Sequence, residues 1–510
     1  MNQLKIGIIL SYVLLVISTL SGILYTPFLI RKLGQEEYGL FSLASSVIAY
    51  LLLFDFGLGS AVTRFTAKFR AENKICEQYE MFGMFFILYT IVAIVVGICG
   101  FMIICNADAV LDCSKMTSEQ VSRMKVILYI LTANLCVTFP FSVFSAIITA
   151  YERFFFIKSL GVIRILLQIA VMIPLLIWGY KAVALAVTMT IFNAVTLIFN
   201  ALYCFFRLKI KVYFGNMDFS LLKDISGYSF YIFLNAVMDN IYWSSGQFIL
   251  SYTGGLQQTA IYAAAIRLVM FYISLSVTFS SVLLPKITRM SVTDSDMHNI
   301  SKLFVKVGRL QFFIIGTVAA GFLIFGQQFI LLWAGDEYQH AYWVCVILML
   351  SLLVPLIQNT AIEVLKAKKR LVFRSVLYIL LSLAGLFISY FFAVRMGVIG
   401  CAIGTGLSLL LGNGVIINIY YWKFIKLDIP LFWRQLTPLV SAVTVVTAVF
   451  LIFNKYIYSP DITGYGIEVI LFCFVMTMVY WLFCMNTSEK EICRSMLKKS
   501  WMLRRRPEHA

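Results

Sequence analysis

The chain alternates long apolar windows with short polar connections, and a helix needs roughly 20 apolar residues to cross a hydrocarbon core about 30 Å thick. Fourteen such windows are readable, at approximately 6–30, 38–63, 81–106, 124–150, 158–179, 182–206, 226–252, 259–285, 304–333, 341–365, 372–393, 397–422, 436–454 and 464–485. They predict an all-α polytopic membrane protein of about 14 transmembrane helices. The first window is of full spanning length, lacks a small-residue cleavage site and runs on through Pro27, so it reads as a span and not as a signal peptide. The longest connection on the outer side, around residues 107–123, is under twenty residues. That leaves no extramembrane domain to house an active site, and a protein that is not an enzyme is expected.

The windows repeat. Ala150-Tyr-Glu-Arg153-Phe-Phe-Phe156 matches Ala367-Lys-Lys-Arg370-Leu-Val-Phe373 at an offset of 217, and Gly179 to Ala186 lies over Gly397 to Gly404 at 218. Pro140 and Pro355, 215 apart, are expected to interrupt corresponding helices. Spans 1 to 6 thus match spans 7 to 12, and because six is even both halves enter the membrane from the same side, giving a parallel repeat. The expected organisation is an N-terminal lobe over 1–210, a C-terminal lobe over 211–425, two further spans over 426–486 and a basic tail over 487–510. Two repeated bundles that can rock about a central cleft are a transporter plan.

Composition narrows the class. Of 510 residues 61% are apolar and 13% charged, with a mean hydropathy of +0.91; soluble domains run nearer 45 to 50% and about 25%. The net charge of +17 comes from 41 Lys and Arg against 24 Asp and Glu. Positive loops stay on the cytoplasmic side. With the N-terminus inside, 32 of the 41 fall there, eight fall outside and Arg267 remains within a span. Both termini are therefore expected in the cytoplasm, with Lys490 to Arg506 against anionic headgroups and no nucleic-acid partner. The 11 Cys are scattered without a CxxC pair and read as small core residues, although Cys105 and Cys113 bracket one short outer loop and could oxidise if that side is a periplasm. With three His, no metal site is expected.

Ionisable residues inside a span are costly against lipid and are function candidates. Asp55 sits beside a glycine break in span 2, Asp239 in span 7 and Arg267 in span 8. Glu363 and Arg164 lie near enough to the cytoplasmic ends to snorkel. Asn240, Ser244, Gln247 and Ser251 recur at i, i+4, i+7 and i+11, one polar stripe along span 7, which lines a cavity or bonds neighbouring helices. Arg267 stays protonated when desolvated and presents a fork of donors suited to phosphate; its alternative is an ion pair with Asp239. Arg64, Lys68 and Arg70 in one half, and Lys286 and Arg289 in the other, would ring an inward mouth and attract anions. The absence of a G-x-x-x-x-G-K-[ST] loop disfavours direct use of ATP.

Tyr25-Thr-Pro-Phe-Leu-Ile-Arg-Lys-Leu-Gly-Gln-Glu-Glu-Tyr38-Gly, followed by Phe54-Asp-Phe-Gly-Leu-Gly59 and Arg64-Phe-Thr-Ala-Lys68, resembles the opening of the bacterial polysaccharide transporters, the Wzx-type O-antigen flippases. Gly255 to Tyr262 echoes that junction in the second half. The resemblance implies two six-helix lobes around a central cavity and a substrate of undecaprenyl-diphosphate-linked oligosaccharide, moved from the inner to the outer leaflet of the bacterial inner membrane. It also implies polysaccharide assembly proteins as partners. Arg267, Arg64 and Lys68 would then supply positive charge, Asn240, Ser244 and Gln247 would meet sugars, and Tyr242, Trp243 and Tyr262 would stack on sugar rings or serve packing. Relatives commonly exchange a proton or sodium ion and need no further cofactor, which makes Asp55, Asp239 and Glu363 the coupling candidates. Lipid II flippases carry an Arg-Asp pair where this chain has Tyr25-Thr26, which argues against a peptidoglycan precursor. Two other readings stay open: a cation-coupled multidrug exporter of the same fold, and a membrane polysaccharide polymerase.

Overall fold

A computed structural model describes residues 3–108, 116–215, 219–281, 290, 297–368, 370, 372–456, 462–486 and 489–491. Among these the regular structure is helical throughout. Helix α1 is Gln3–Leu33 and α2 is Gln35–Leu51; a 3-10 turn, Leu52–Asp55, follows, and α3 is Leu58–Ala71. Then come α4 (Ile75–Cys105), α5 (Ser118–Ala150), α6 (Phe154–Ile177), α7 (Ala182–Leu202), α8 (Phe219–Thr253) and α9 (Gly255–Ser281). The remaining helices are α10 (Met297–Ala334), α11 (Ala341–Ile357), α12 (Asn359–Ala367), α13 (Val372–Leu409), α14 (Ile417–Lys423), α15 (Ile429–Tyr456) and α16 (Ile462–Val479). Ten helical stretches among the described residues are long and apolar enough to cross a membrane, or eleven counting the bent pair α11 and α12. The protein is a multi-pass membrane protein.

The expected spans fall on these helices, with instructive exceptions. Spans 11 and 12 form one helical run from Val372 to Lys423, folded at Gly397, whose φ of 57° is open to glycine at little cost. Gly179, its counterpart 218 residues earlier, has φ 87° between α6 and α7. The other matched junction repeats the device, with φ 78° at both Gly34 and Gly255. The two prolines behave differently. Pro355 precedes a 45° bend between α11 and α12, whereas Pro140 sits inside an unbroken α5, so its expected interruption does not occur. Membrane helices tolerate internal proline when neighbouring groups satisfy the freed carbonyl.

The chain packs as two compact units. The first holds residues 1–271, 331–348 and 372–409, and the second holds 272–330, 349–371 and 410–510. Within the first, α4 and α7 flank α5, α6 lies on α1, and α8 lies between α2 and α13. Its core has two parts. One is aromatic, built from Phe65, Phe82, Phe85, Tyr89 and Phe139 on α3, α4 and α5; the other is aliphatic, built from Leu40, Leu43, Ile127 and Leu131 with Ala186. Trp178, Phe206 and Phe483 stand exposed, the inverse of a water-soluble surface. In the second unit Arg309 of α10 is buried and bonds Glu489 through Nε (2.8 Å) and Nη2 (3.1 Å), the Cys484 carbonyl (2.7 Å) and the Gln435 carbonyl. This staple ties α10, α15 and the segment after α16 together. Burial pushes the Glu489 carboxyl upward, but the Arg309 hydrogen bonds and the Asn486 backbone N–H outweigh it and hold it below the usual carboxylate range.

Candidate functional site

Helix α9 defines the site. From Thr259 to Val269 every residue is buried except one, and that one is Arg267. Arg267 is the exposed position two residues before the end of this buried stretch, and a guanidinium within a span is costly against lipid. Among the described residues it has no ion-pair partner. Asp239 does not serve as that partner: the cation whose field reaches Asp239 is Arg374 of α13.

The guanidinium lies beside α1 at Gly22, where a Cβ would stand 3.6 Å from Nη2 and 3.7 Å from Nε. Local chemistry fixes α1 at this level. Pro27 has no N–H for the carbonyl of Ile23 four residues before it, and the indole of Trp333 donates to that carbonyl at 2.8 Å instead. The glycine-tyrosine junction supports the other side. Gly34 makes the turn from α1, the buried Tyr38 on α2 lies within the field of Arg267, and Gly39 lets α2 approach the Leu256 carbonyl of α9 so closely that a Cβ would overlap it. The segment that carries the family resemblance is thus the segment that seats Arg267.

Of the polar stripe of α8, Asn240 reaches a neighbouring helix, while Ser244 and Ser251 bond within α8. Asn240 Nδ2 donates to the Ala49 carbonyl at 3.2 Å in the last turn of α2, and Ser244 Oγ donates to Asn240 Oδ1 at 3.4 Å. Ser251 bonds its own helix at Phe248, while Gln247 keeps a buried, unpartnered Oε1. Between them Ser245 pairs with Tyr50 at 2.5 Å. The aromatics divide likewise. Tyr262 is fully buried and Tyr242 is buried with its hydroxyl 3.0 Å from Ser408 Oγ, so both pack rather than present a ring face; Trp243 is half-buried.

Asp55 stands where α2 breaks. Phe56 and Gly57 are both left-handed (φ 48° and 73°), and the buried Tyr89 of α4 donates its hydroxyl to Asp55 Oδ1 at 2.9 Å. Arg64 and Lys68 are exposed on α3, and Arg64 lies 5.9 Å from the Phe65 ring. Arg70 stacks on Tyr151 at 4.1 Å and donates to the Ala150 carbonyl. Lys286 and Arg289, the other half of the expected ring, lie outside the described residues, as do Cys113 and the tail beyond Glu491.

The two residues expected to snorkel, Glu363 and Arg164, both have side-chain partners. Glu363 is buried, with Oε1 2.9 Å from Lys366 Nζ and Oε2 unpartnered. Arg164 is half-buried and donates to Asn193 Oδ1 at 3.1 Å; Asn193 in turn bonds Asn134 (2.8 Å) and Thr138 (2.7 Å). Sequence reasoning also missed Arg374, which lies 4.4 Å over the Tyr378 ring; its position near a predicted span end hid its proximity to Asp239. A separate apolar cavity of about 860 Å³ in the first unit, lined by residues such as Val47, Phe54, Met102 and Phe248, has no charged side chain in its wall.

The long apolar helices define the class as an all-α, multi-pass membrane fold. Its structure is similar to that of the lipid II flippase MurJ in an inward closed conformation, with a TM-score of 0.73 at 14% identity over 94% of this chain and 99% of that one. It is also similar to an inward-facing multidrug resistance MATE family transporter of the MOP superfamily, with a TM-score of 0.66 at 16% identity, 82% of this chain and 95% of that one. Residues 4–291, more than half the chain, match the family described as polysaccharide biosynthesis protein, and the chain belongs to that family. A Shigella flexneri protein named "Putative O-antigen transporter" is 20% identical over 405 residues, 78% of this chain and 92% of that protein.

Proposed function

We propose that this protein is a flippase for undecaprenyl-diphosphate-linked oligosaccharide, carrying the headgroup from the cytoplasmic to the outer leaflet of a bacterial inner membrane by alternating access. The observation that carries this reading is Arg267: an accessible guanidinium, without an ion-pair partner among the described residues, on a helix otherwise buried from Thr259 to Val269. A diphosphate cannot cross hydrocarbon, and a planar fork of donors binds it well. The polyprenyl tail stays in lipid. Arg64 and Lys68, exposed on α3, draw the anionic headgroup towards the entrance. Asn240, Ser244 and Gln247 are the polar contacts assigned to α8. Family membership and the name of the Shigella relative support a saccharide cargo.

Export against a gradient needs an energy source, and we assign it to a proton or sodium ion acting at Asp55, Asp239 or Glu363. In this reading both termini are cytoplasmic, the protein catalyses no covalent step, and polysaccharide assembly proteins act on its product. The test is complementation. In cells lacking the chromosomal copy, Arg267→Ala that inserts normally abolishes surface polysaccharide and Arg267→Lys restores part of it; undiminished polysaccharide with the alanine variant refutes the assignment.

A further inference from the structure

The chain of hydrogen bonds at Arg164 joins three helices, α6, α7 and α5, through Arg164, Asn193, Asn134 and Thr138. All four side chains are half-buried. Arg164 uses one of its five donors on Asn193. The remaining donors sit about 15 Å along α6 from its cytoplasmic end, by a rise of 1.5 Å per residue. A guanidinium so placed is costly against acyl chains and needs water or a polar ligand.

Its position relative to Arg267 follows from α1. Gly161, one turn before Arg164, meets the Leu14 side chain, and Arg267 meets α1 at Gly22. Leu14, Ser18 and Gly22 are spaced i, i+4 and i+8 and so share one side of α1. Ser18 between them is exposed. The first and fifth spans run in the same direction, so Arg164 lies about one turn outward of Leu14, and the two arginines differ in depth by roughly 7 Å. That is the scale of a diphosphate joined to one sugar ring.

We propose that Arg164, with Asn193, Asn134 and Thr138, is a saccharide-binding station that grips the first sugars of a ligand whose diphosphate sits at Arg267. Amides and a hydroxyl match the alternating donors and acceptors of sugar hydroxyls, and the guanidinium fork donates to a pair of hydroxyl oxygens or to a sugar carboxylate. The station rests on the flippase reading and assigns to it the residues that distinguish a glycosylated lipid from a bare prenyl diphosphate. Ser18 lies along the path between the two arginines.

Binding to the full-length protein in nanodiscs tests this with two probes, farnesyl diphosphate and farnesyl-diphosphate-linked N-acetylglucosamine. Wild type binds the glycosylated probe more tightly. Arg164→Gln and Asn193→Ala each weaken it by about tenfold while the bare diphosphate changes by less than about twofold; Arg267→Gln weakens both. Asn134→Ala provides a third variant should either of the first two unfold, as judged by thermal melting. The station is overturned if these variants leave both affinities as in wild type, if they weaken the two probes equally, or if wild type binds the two probes alike. Failure of wild type to bind either probe instead overturns the flippase reading itself.

Discussion

Gly39 of α2 and Leu256 of α9 meet backbone to backbone, so closely that a Cβ on Gly39 would overlap the Leu256 carbonyl oxygen. Neither helix can yield without moving the turn at Gly34 or the seat of Arg267. Gly39→Ala is therefore expected to cost about 1 to 3 kcal/mol through overpacking, read as a lower thermal midpoint of the purified protein and a lower membrane yield. An unchanged midpoint would show that the two backbones are not pressed together.

Gly22 makes the opposite case. A Cβ there stands in ordinary van der Waals contact with the Arg267 guanidinium, so Gly22→Ala is expected to leave folding and export near wild type. Gly22→Leu extends into the space that Arg267 occupies. It is expected to reduce surface polysaccharide by about tenfold or more while the protein still inserts, because crowding acts on the site and not on the core. Comparable export by both variants would place the ligand elsewhere.

The pair Arg309 and Glu489 predicts an acid-sensitive stability. The folded state holds the Glu489 carboxyl below its ordinary range; its contribution is therefore complete above the unfolded value of about 4.3 and is lost as pH falls through the folded value. Glu489→Gln leaves the Arg309 charge buried and is expected to cost about 3 kcal/mol near neutral pH. The double change Arg309→Met with Glu489→Leu costs less than the single one. Thermal melts of the detergent-solubilised protein at pH 7 and pH 4 check both points. A double variant that melts lower than Glu489→Gln contradicts the argument.

Asp55 and Tyr89 offer a test of energy coupling. With Asp55 as the coupling carboxylate, Asp55→Asn is expected to remove the dependence of export on an imposed proton or sodium gradient. Tyr89→Phe deletes one hydrogen bond to the carboxylate, worth about 1 kcal/mol or roughly fivefold, and retains the gradient dependence. Gradient-driven export by Asp55→Asn at the wild-type level would remove Asp55 from the coupling assignment.

Much of this architecture can be read from the chain because turn chemistry is local. The glycines at 34, 179, 255 and 397 mark the junctions of the repeat, each with a positive φ that side chains disfavour. The break at Asp55 was visible in its flanking glycines. Partners across helices were not. Asp239 makes no ion pair with Arg267, and the cation whose field reaches it is Arg374, because depth counted along two helices says nothing about which faces are turned together. The count along one helix likewise does not reveal that Arg164 belongs to a three-helix hydrogen-bond chain through Asn193. The stripe on α8 is legible as a periodicity, while the bond from Asn240 to the broken end of α2 depends on packing that no periodicity encodes.

The account turns on whether an embedded cation carries a phosphorylated headgroup across the bilayer. The direct measurement is the rate at which purified protein in proteoliposomes moves a fluorescent undecaprenyl-diphosphate-linked oligosaccharide between leaflets. Wild type is expected to move it, Arg267→Ala at least about tenfold more slowly, a loss of about 1.4 kcal/mol or more in the barrier, and Arg267→Lys at an intermediate rate. Equal rates for wild type and Arg267→Ala would contradict the account.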